Sequence, residues 1–359
     1  MSRSYTMRDV ARLAGVSVGS VSAVINEKAT PSAKLKERVR SAMEALDYQP
    51  DHVARSLKVR RTHTVGMVVP DISNPFYTEL MLGAEAAARA RRYSVILCNS
   101  SDDPGLESQC LNTLFSRRVD GVILAPADLQ GFQDRLTARR FPIVLVDRIP
   151  PRFKGLAVVT NNLEAASEGT RHLIELGHER LAIITGRLDL SNGIDRLEGF
   201  RKSMQEAHLP IRHEYVQHGD FRLQSGYERG LELLRLAEPP TAIFCCNNKM
   251  TLGLMRALTE CGVSCPEQVS VLGFDDFDWA ASFRPRLTTI AQPTSEIGKT
   301  AMELLLRKIE SAEGSEAEDP RPISLRATLH VRDSTAPPYG CTEIPDADHQ
   351  LVSHDPAAR

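Results

Sequence analysis

The chain has 359 residues, of which 42% are hydrophobic and 25% charged, and its net charge is −2 at neutral pH. These ordinary values exclude collagen-like, disulfide-scaffold and wholly disordered proteins. The sequence contains no run of about eighteen apolar residues that would predict a membrane span, and its N-terminus lacks the apolar stretch of a secretory signal. Seven cysteines with scattered spacing are typical of reduced thiols in a cytoplasmic protein.

The charge is unevenly distributed along the chain. Residues 1–64 contain twelve Lys and Arg against six Asp and Glu, a net charge of +6, which leaves −8 on the remainder. A basic head on an acidic body indicates that the head alone contacts nucleic acid.

Three short helices are predicted in the first fifty residues. Thr6 followed by Asp9 is a helix-capping signal, and a break at residues 15–17 separates the first helix from a second at residues 18–26. A third helix is predicted to begin near Ser32. Two helices joined by a three-residue turn with glycine are typical of a helix-turn-helix, whose second helix presents its first residues to the major groove. A plain helical hairpin is the alternative.

From Thr64 onward, apolar runs of strand length alternate with helical segments. A first series lies at residues 64–71, 93–100, 120–127 and 142–148, and a second at 155–162, 180–186, 241–246 and 269–274. Such runs are typical of parallel sheets covered on both faces, so two doubly wound α/β subdomains are predicted, with ligand sites at the carboxyl ends of the strands. The last segment, residues 334–359, is rich in proline and acid and is predicted to be a disordered tail.

Several stretches resemble the LacI/GalR family of bacterial repressors. TMRDVARLAGVSVGSVSAVIN (6–26) is similar to the head of that family, VARSLKVRRTHTVGMVVPD (53–71) to its hinge and first core strand, and PRLTTIAQP (285–293) to a later core segment. The resemblance implies an α/β fold: a small all-α helix-turn-helix head at residues 1–50, a hinge helix and linker at 51–63, and a core like type I periplasmic binding proteins at 64–333. The first core subdomain would take residues 64–161 and 294–323, and the second 162–293 and 324–333.

The resemblance also implies which residues contact DNA. Leu57 matches a hinge leucine that enters the minor groove, where an apolar wedge unstacks a base step and kinks the duplex; simple core packing is the alternative. Ala23, where many members carry arginine, and Gly19, which weakens the recognition helix, predict sparse base readout. The expected DNA contacts are Thr6, Ser17, Val18, Gly19, Ser20, Ser22, Asn26, Tyr48, Ala54, Arg55, Leu57 and Lys58.

Polar and aromatic residues at strand ends match positions that line the effector pocket in relatives. These are Asn74, Phe76, Tyr77, Asp147, Arg148, Asn192, Arg196, Phe221, Asn247 and Asp275. Carboxylates accept hydroxyl hydrogen bonds, guanidinium groups donate them and aromatic rings pack on C–H faces, so this set suits a sugar. For any single residue, the alternative is a strand-end cap or a salt bridge. Leu190 stands where purine-responsive relatives carry arginine, which argues against a purine effector.

The sequence contains no visible catalytic constellation, cofactor motif or metal site. Residues 15–19 match the G-x-S-x-G nucleophile motif but follow a predicted helix instead of a strand. Gly298-Lys299-Thr300 lacks the earlier glycine of a phosphate loop, and Cys261 and Cys265 lack a second pair of zinc ligands. We therefore expect no enzyme activity, cofactor or metal.

These observations predict a cytoplasmic, homodimeric transcriptional regulator that makes no membrane contact. It would bind a near-palindromic operator in double-stranded DNA and repress carbohydrate-utilisation genes, and a small sugar-like effector in the cleft between the core subdomains would change its operator affinity. Two alternatives are a regulator that responds to a phosphorylated sugar or a partner protein, and a solute-binding protein for transport, against which the basic head argues. The sequence leaves open whether the effector induces or corepresses, and whether the chain forms dimers or tetramers.

Overall fold

In a computed structural model, the chain divides into two compact units, Met1–Thr62 and His63–Arg359. The structure describes residues 5–26, 31–48, 61–129, 141–311 and 321–338. Within these ranges, every helix is too short or too polar to cross a membrane.

The first unit contains three helices, α1 (Met7–Ala14), α2 (Val18–Asn26) and α3 (Ala33–Ala45). The capping signal predicted at the start of α1 is confirmed, because the backbone N–H of Thr6 donates to Asp9 Oδ2 at 3.0 Å. The three helices pack around a small core that contains Val10, Val21 and Val39, all fully buried. One apolar stripe per helix therefore forms the core of the head.

The second unit consists of two α/β subdomains. Its strands are β1 (Thr64–Val69), β2 (Ser94–Asn99), β3 (Gly121–Leu124), β4 (Ile143–Val146), β5 (Ala157–Thr160), β6 (Leu181–Thr185), β7 (Val216–His218), β8 (Ala242–Cys245), β9 (Ser270–Phe274), β10 (Thr288–Ala291), β11 (Ile323–Leu325) and β12 (Thr328–His330). Its helices are α4 (Pro75–Ala90), α5 (Pro104–Ser116), α6 (Asn162–Glu175), α7 (Ser191–Glu206), α8 (Leu223–Leu234), α9 (Asn248–Cys261) and α10 (Thr294–Glu310), with 3₁₀ turns at His213–Tyr215 and Asp278–Ser282.

Each subdomain has a six-stranded sheet covered by helices. The first sheet has the order β11-β5-β4-β3-β1-β2 and is parallel throughout, while the second has the order β12-β10-β9-β8-β6-β7 and only β12 is antiparallel. Along β1, Val65 and Met67 pack into one apolar cluster and Val68 into another, so both faces of the first sheet are buried. This is the fold class predicted from the continuous apolar strands.

The chain passes between the subdomains three times, and the crossings differ in detail from the prediction. The strand within residues 155–162 is β5 and pairs with β4 in the first sheet; it lies within the range 64–161 expected for the first subdomain, although the order of apolar runs grouped it with the second series. The third crossing follows β11, so Ser324 and Leu325, predicted to belong to the second subdomain, pair with β5 in the first. Sequence order alone did not assign these strands because both sheets use the same kind of apolar run.

The segment at residues 334–338 packs on the second sheet, so the prediction that the disordered tail begins at residue 334 is wrong for these five residues. Ser334 is fully buried. Its hydroxyl donates to the carbonyl of Val271 at 2.6 Å and accepts from the N–H of Thr288 at 2.7 Å. Ala336 continues the contact through its N–H, which donates to Ser270 Oγ at 3.0 Å. Residues 339–359 lie outside the described ranges.

Gly298 of the rejected phosphate-loop match has a packing role. A Cβ at this position would lie 1.9 Å from the backbone oxygen of Leu80, so α10 and α4 approach each other more closely than any larger residue would allow. The glycine is therefore explained by helix packing.

Candidate functional site

The first turn of α2 presents the predicted base-reading residues. The backbone N–H of Ser20 donates to Ser17 Oγ at 3.0 Å, and the two hydroxyls are 2.9 Å apart, so Ser17 caps the helix. Val18 is 42% exposed and Gly19 is exposed, whereas Val21 is fully buried in the head's core. The helix therefore turns its N-terminal residues outward from a buried anchor, which is the arrangement that groove reading requires.

Other predicted DNA contacts have different surroundings. The exposed Thr6 donates its hydroxyl to Asp9 Oδ2 at 2.7 Å, Ser22 is half-buried, and Tyr48 packs partly buried against the head's core. Asn26 is the last residue of α2. Four further predicted residues lie outside the described residues: Ala54, Arg55, Leu57 and Lys58.

A cavity of about 430 Å³ opens between the two core subdomains. All ten predicted effector residues line it: Asn74, Phe76, Tyr77, Asp147, Arg148, Asn192, Arg196, Phe221, Asn247 and Asp275. They come together because the carboxyl ends of the parallel strands in both sheets face this cleft. The cavity lies within the 300–1,000 Å³ or so that is typical of small-molecule sites.

On the first-subdomain side, a buried polar network is centred on Asp147. Its Oδ2 accepts from Tyr77 Oη at 2.8 Å and from Arg148 Nε at 3.2 Å, and its Oδ1 accepts from Asn192 Nδ2 at 3.0 Å. Burial raises the pKa of Tyr77 well above its ordinary value, so its phenol stays protonated and remains a donor. The carboxylate is thus held in a fixed position at the cavity wall.

Arg148 is electrically balanced within this network. Its Nη1 donates to Asp102 Oδ1 at 2.9 Å and its Nη2 to Tyr77 Oη at 2.9 Å. Burial lowers the pKa of the guanidinium, but its interactions with Tyr77 and Asp147 outweigh that effect, so the pKa lies above its ordinary value. Arg148 is therefore a charged wall residue that uses three of its five N–H donors within the protein.

On the second-subdomain side, Arg196 and Asp275 form the opposing polar wall. Arg196 lies with its guanidinium carbon 3.6 Å from the ring centroid of Phe274 and donates to the carbonyl of Cys246 at 2.6 Å. Asp275 accepts from Gln292 Nε2 at 2.5 Å. Burial raises the pKa of Asp275, although Arg196 and the Gln292 hydrogen bond oppose that rise. A guanidinium has five N–H donors, so Arg196 can keep its protein contacts and still donate to a ligand.

Asn247 combines a structural role with its place in the cavity wall. Its Oδ1 accepts from the N–H of Met250 at 2.9 Å, which caps α9, and its Nδ2 donates to the carbonyl of Phe221 at 2.9 Å. The alternative considered for strand-end residues, a helix cap, is therefore part of what Asn247 does.

Three cavity residues adopt the left-handed backbone region that non-glycine residues rarely adopt. Their φ values are 69° for Phe221, 68° for Asp147 and 71° for Asp275.

Several cavity residues were missed by sequence reasoning. Lys249 crosses the cleft from the start of α9 to donate to Asp71 Oδ2 at 2.5 Å and to Ser73 Oγ at 2.7 Å. Asn248 Nδ2 also crosses, donating to Asn74 Oδ1 at 2.9 Å. The position of Asp71 just after β1 was a usable signal, whereas nothing local in the sequence pairs it with Lys249. The missed residues that also line the cavity are Pro70, Asp71, Asn99, Ser101, Asp102, Asp220, Arg222, Lys249 and Gln292.

Comparison with known proteins identifies the family. The family model described as bacterial regulatory proteins, lacI family, matches residues 6–51, and that of the periplasmic binding protein-like domain matches residues 170–335. The ribose operon repressor of Escherichia coli strain K12 is 38% identical over 306 residues, which are 85% of this chain and 93% of the relative. The chain belongs to the LacI family. It is therefore a DNA-binding transcriptional regulator and not an enzyme.

Other LacI-family proteins are similar over comparable lengths. The transcriptional repressor PurR of Actinobacillus pleuropneumoniae serotype 3 is 37% identical over 85% of this chain and 91% of its own length. The lac repressor dimer bound to operator and the anti-inducer ONPF has a TM-score of 0.83 at 27% identity, over 93% of this chain and 100% of that structure. A complex of the regulator CelR with cellobiose has a TM-score of 0.70 at 31% identity, over 92% and 99%. Leu190, the position used to argue against a purine, is fully buried at the start of α7.

Proposed function

We propose that this LacI-family chain is a cytoplasmic, homodimeric repressor of carbohydrate-utilisation genes whose operator affinity is changed by a neutral sugar in the cleft. The single observation that carries the proposal is the composition of the cavity wall. Carboxylates and a guanidinium from both subdomains, Asp147, Asp275 and Arg196, lie beside the rings of Phe76 and Phe221. Hydroxyl groups need such acceptors and donors, and the C–H face of a sugar packs on aromatic rings.

The charge balance of the wall favours a neutral sugar over a phosphorylated one. Four cationic side chains line the cavity, and two of them are paired: Arg148 with Asp102 and Asp147, and Lys249 with Asp71. A phosphate would need unpaired cations or a row of free backbone N–H groups. The five carboxylates that line the cavity outnumber its four cationic side chains and would instead repel a phosphate.

Coupling to DNA follows from the position of the ligand between two bodies. A ligand that holds both walls changes how the subdomains approach each other, and such a change can shift the head only if the ligand's affinity differs between the two arrangements. Two copies related by a two-fold axis would place two heads on a near-palindromic operator. The operator-bound dimer of the lac repressor and the names of both curated relatives support this assembly and a cytoplasmic location.

A combined binding assay tests the proposal. Isothermal titration of the full chain with ribose, glucose, cellobiose, ribose 5-phosphate and hypoxanthine should give saturable binding with a neutral sugar. A gel shift with an operator selected from random duplex DNA should then change when that sugar is added. Retardation of DNA without any sugar response, or a response only to the phosphate or the purine, would overturn the effector assignment.

A further inference from the structure

The turn between α1 and α2 is closed by a side chain from α3. Arg38 Nη2 donates to the backbone oxygen of Ala14 at 2.6 Å and to that of Gly15 at 3.1 Å. Both carbonyls lie at the C-terminal end of α1, where helical N–H partners have run out and the helix dipole is negative. The guanidinium therefore satisfies two backbone acceptors and joins the turn to α3.

Gly15 is shaped for this contact. Its φ of 64° is left-handed, and the chain reverses there with the N–H of Val16 donating to the carbonyl of Ala11 at 3.0 Å. A Cβ at position 15 would lie 2.9 Å from Arg38 Nη2. Glycine thus provides both the backbone conformation and the space that the guanidinium occupies.

The recognition residues follow immediately. Ser17, two residues after Gly15, accepts the hydrogen bond that caps α2, and its hydroxyl also fixes that of Ser20. Movement of the turn would therefore move the first residues of α2 directly. Val21, buried in the head's core, restrains the helix only one turn further on.

We propose that Arg38 is the positioning residue of the helix-turn-helix, and that its guanidinium sets the turn that aims Ser17, Val18 and Ser20 at base edges. Base contacts specify sequence, whereas phosphate contacts add affinity for any duplex. Arg38 therefore supports discrimination between the operator and unrelated DNA. An arginine that neutralised a phosphate would support binding to both.

The test uses the full chain with the R38M substitution, an operator selected by the unsubstituted chain, and an unrelated duplex of equal length. We expect operator affinity about tenfold weaker, as for a lost hydrogen bond to a charged group. Binding to the unrelated duplex, and the slope of log K against log salt, should not change. R38K keeps the charge, but its side chain is one bond shorter than that of arginine, so its ammonium should recover only part of the discrimination.

Arg40, exposed two residues later on the same helix, provides the matched control. R40M should leave the ratio of operator to unrelated affinity unchanged. The proposal is wrong if R38M weakens both duplexes equally and reduces the salt slope by about 0.9, the value for one lost phosphate contact. Circular dichroism at the assay temperature checks that R38M is folded. If the head of R38M unfolds, the test passes to folded R38K, and an unchanged ratio of operator to unrelated affinity in R38K overturns the proposal.

Discussion

Asp275 is a cleft residue that lowers the stability of the folded chain while it provides a charged acceptor at the cavity wall. It is buried, its φ of 71° is left-handed, and burial raises its pKa. A non-glycine residue in that backbone region costs about 1–3 kcal/mol. A buried carboxylate kept in such a conformation at a cavity wall supports the sugar-binding role proposed for it.

The D275N substitution should separate binding from stability. An ionised carboxyl whose pKa is raised by folding opposes folding at neutral pH, so removing the charge should leave the melting temperature of the ligand-free chain equal or higher. The same change removes a charged acceptor and should weaken sugar binding about tenfold or more. Differential scanning calorimetry and titration calorimetry measure the two effects; a large fall in melting temperature would contradict the argument.

Protonation of Asp275 should weaken sugar binding as the pH is lowered. Because the folded-state pKa of Asp275 is raised, protonation begins at a higher pH than for an ordinary aspartate and replaces an acceptor by a donor. Sugar affinity of the unsubstituted chain should therefore fall as the pH is lowered toward that raised value. D275N has no carboxyl there and should show a flatter profile.

At the scale of elements, the first turn of α9 contributes a side chain that bridges the two core subdomains across the cleft. Lys249 pairs with Asp71 across the cleft, and because both side chains are partly exposed their ion pair contributes only modestly. K249M should speed sugar dissociation about two- to fivefold, because it removes the hydrogen bonds from Lys249 to Asp71 and Ser73 that join the two subdomains across the cleft. Surface plasmon resonance gives the rate, and K202M on α7, whose ion pair with Glu206 is exposed, is the control.

A double-mutant cycle distinguishes this bridge from a direct ligand contact. If Lys249 acts through Asp71, the D71N/K249M double variant should dissociate sugar no faster than either single variant. Additive effects would contradict the bridge.

The segment at residues 334–338 is a second element whose role is testable. It contacts two histidines, since His172 Nε2 lies 3.0 Å from Thr335 Oγ1 and His178 Nε2 lies 2.9 Å from the carbonyl of Ala336. Burial lowers the pKa of both rings, so the folded chain favours their neutral forms. Their contribution to stability is present above the ordinary histidine pKa of about 6.5 and is lost as the pH falls through the lowered values.

Truncation should make this contribution visible. A chain ending at residue 333 loses the buried Ser334 hydroxyl and should be about 2 kcal/mol less stable than one ending at residue 338. Its stability should also fall less steeply as the pH drops below about 6.5, because His172 is better solvated without Thr335 and its pKa then lies closer to the ordinary value. Urea unfolding of both chains measures this, and equal stability would contradict it.

Across the whole molecule, features that depend on neighbouring residues in the sequence were predicted, whereas features that depend on contacts between distant residues were not. Continuous apolar runs such as residues 64–69 predicted the strands, and strand ends predicted Asp147 and Asp275, because these signals are local. The pairing of Lys249 with Asp71 joins residues 178 positions apart, and no local pattern encodes it. The sheet to which β5 belongs is decided by its pairing with β4, which the order of apolar runs does not encode. Ser334 was assigned to the tail because serine is mostly exposed in folded proteins, and its burial here depends on Thr288 and Val271, 46 and 63 positions away.

The effect of sugar binding on operator binding is a property of the whole chain, and thermodynamic linkage requires it to be reciprocal. If the sugar changes operator affinity by some factor, operator must change sugar affinity by the same factor in the same direction. We expect sugar dissociation constants with and without saturating operator to differ by that factor, typically 5- to 150-fold or so. Titration calorimetry and fluorescence anisotropy on one preparation provide both ratios, with D275N as the control in which about tenfold more sugar or more is needed for the same change in operator affinity. Equal sugar affinity for free and operator-bound protein, alongside a clear effect of sugar on operator binding, is thermodynamically inconsistent with a cleft effector and would place the sugar's action outside this site.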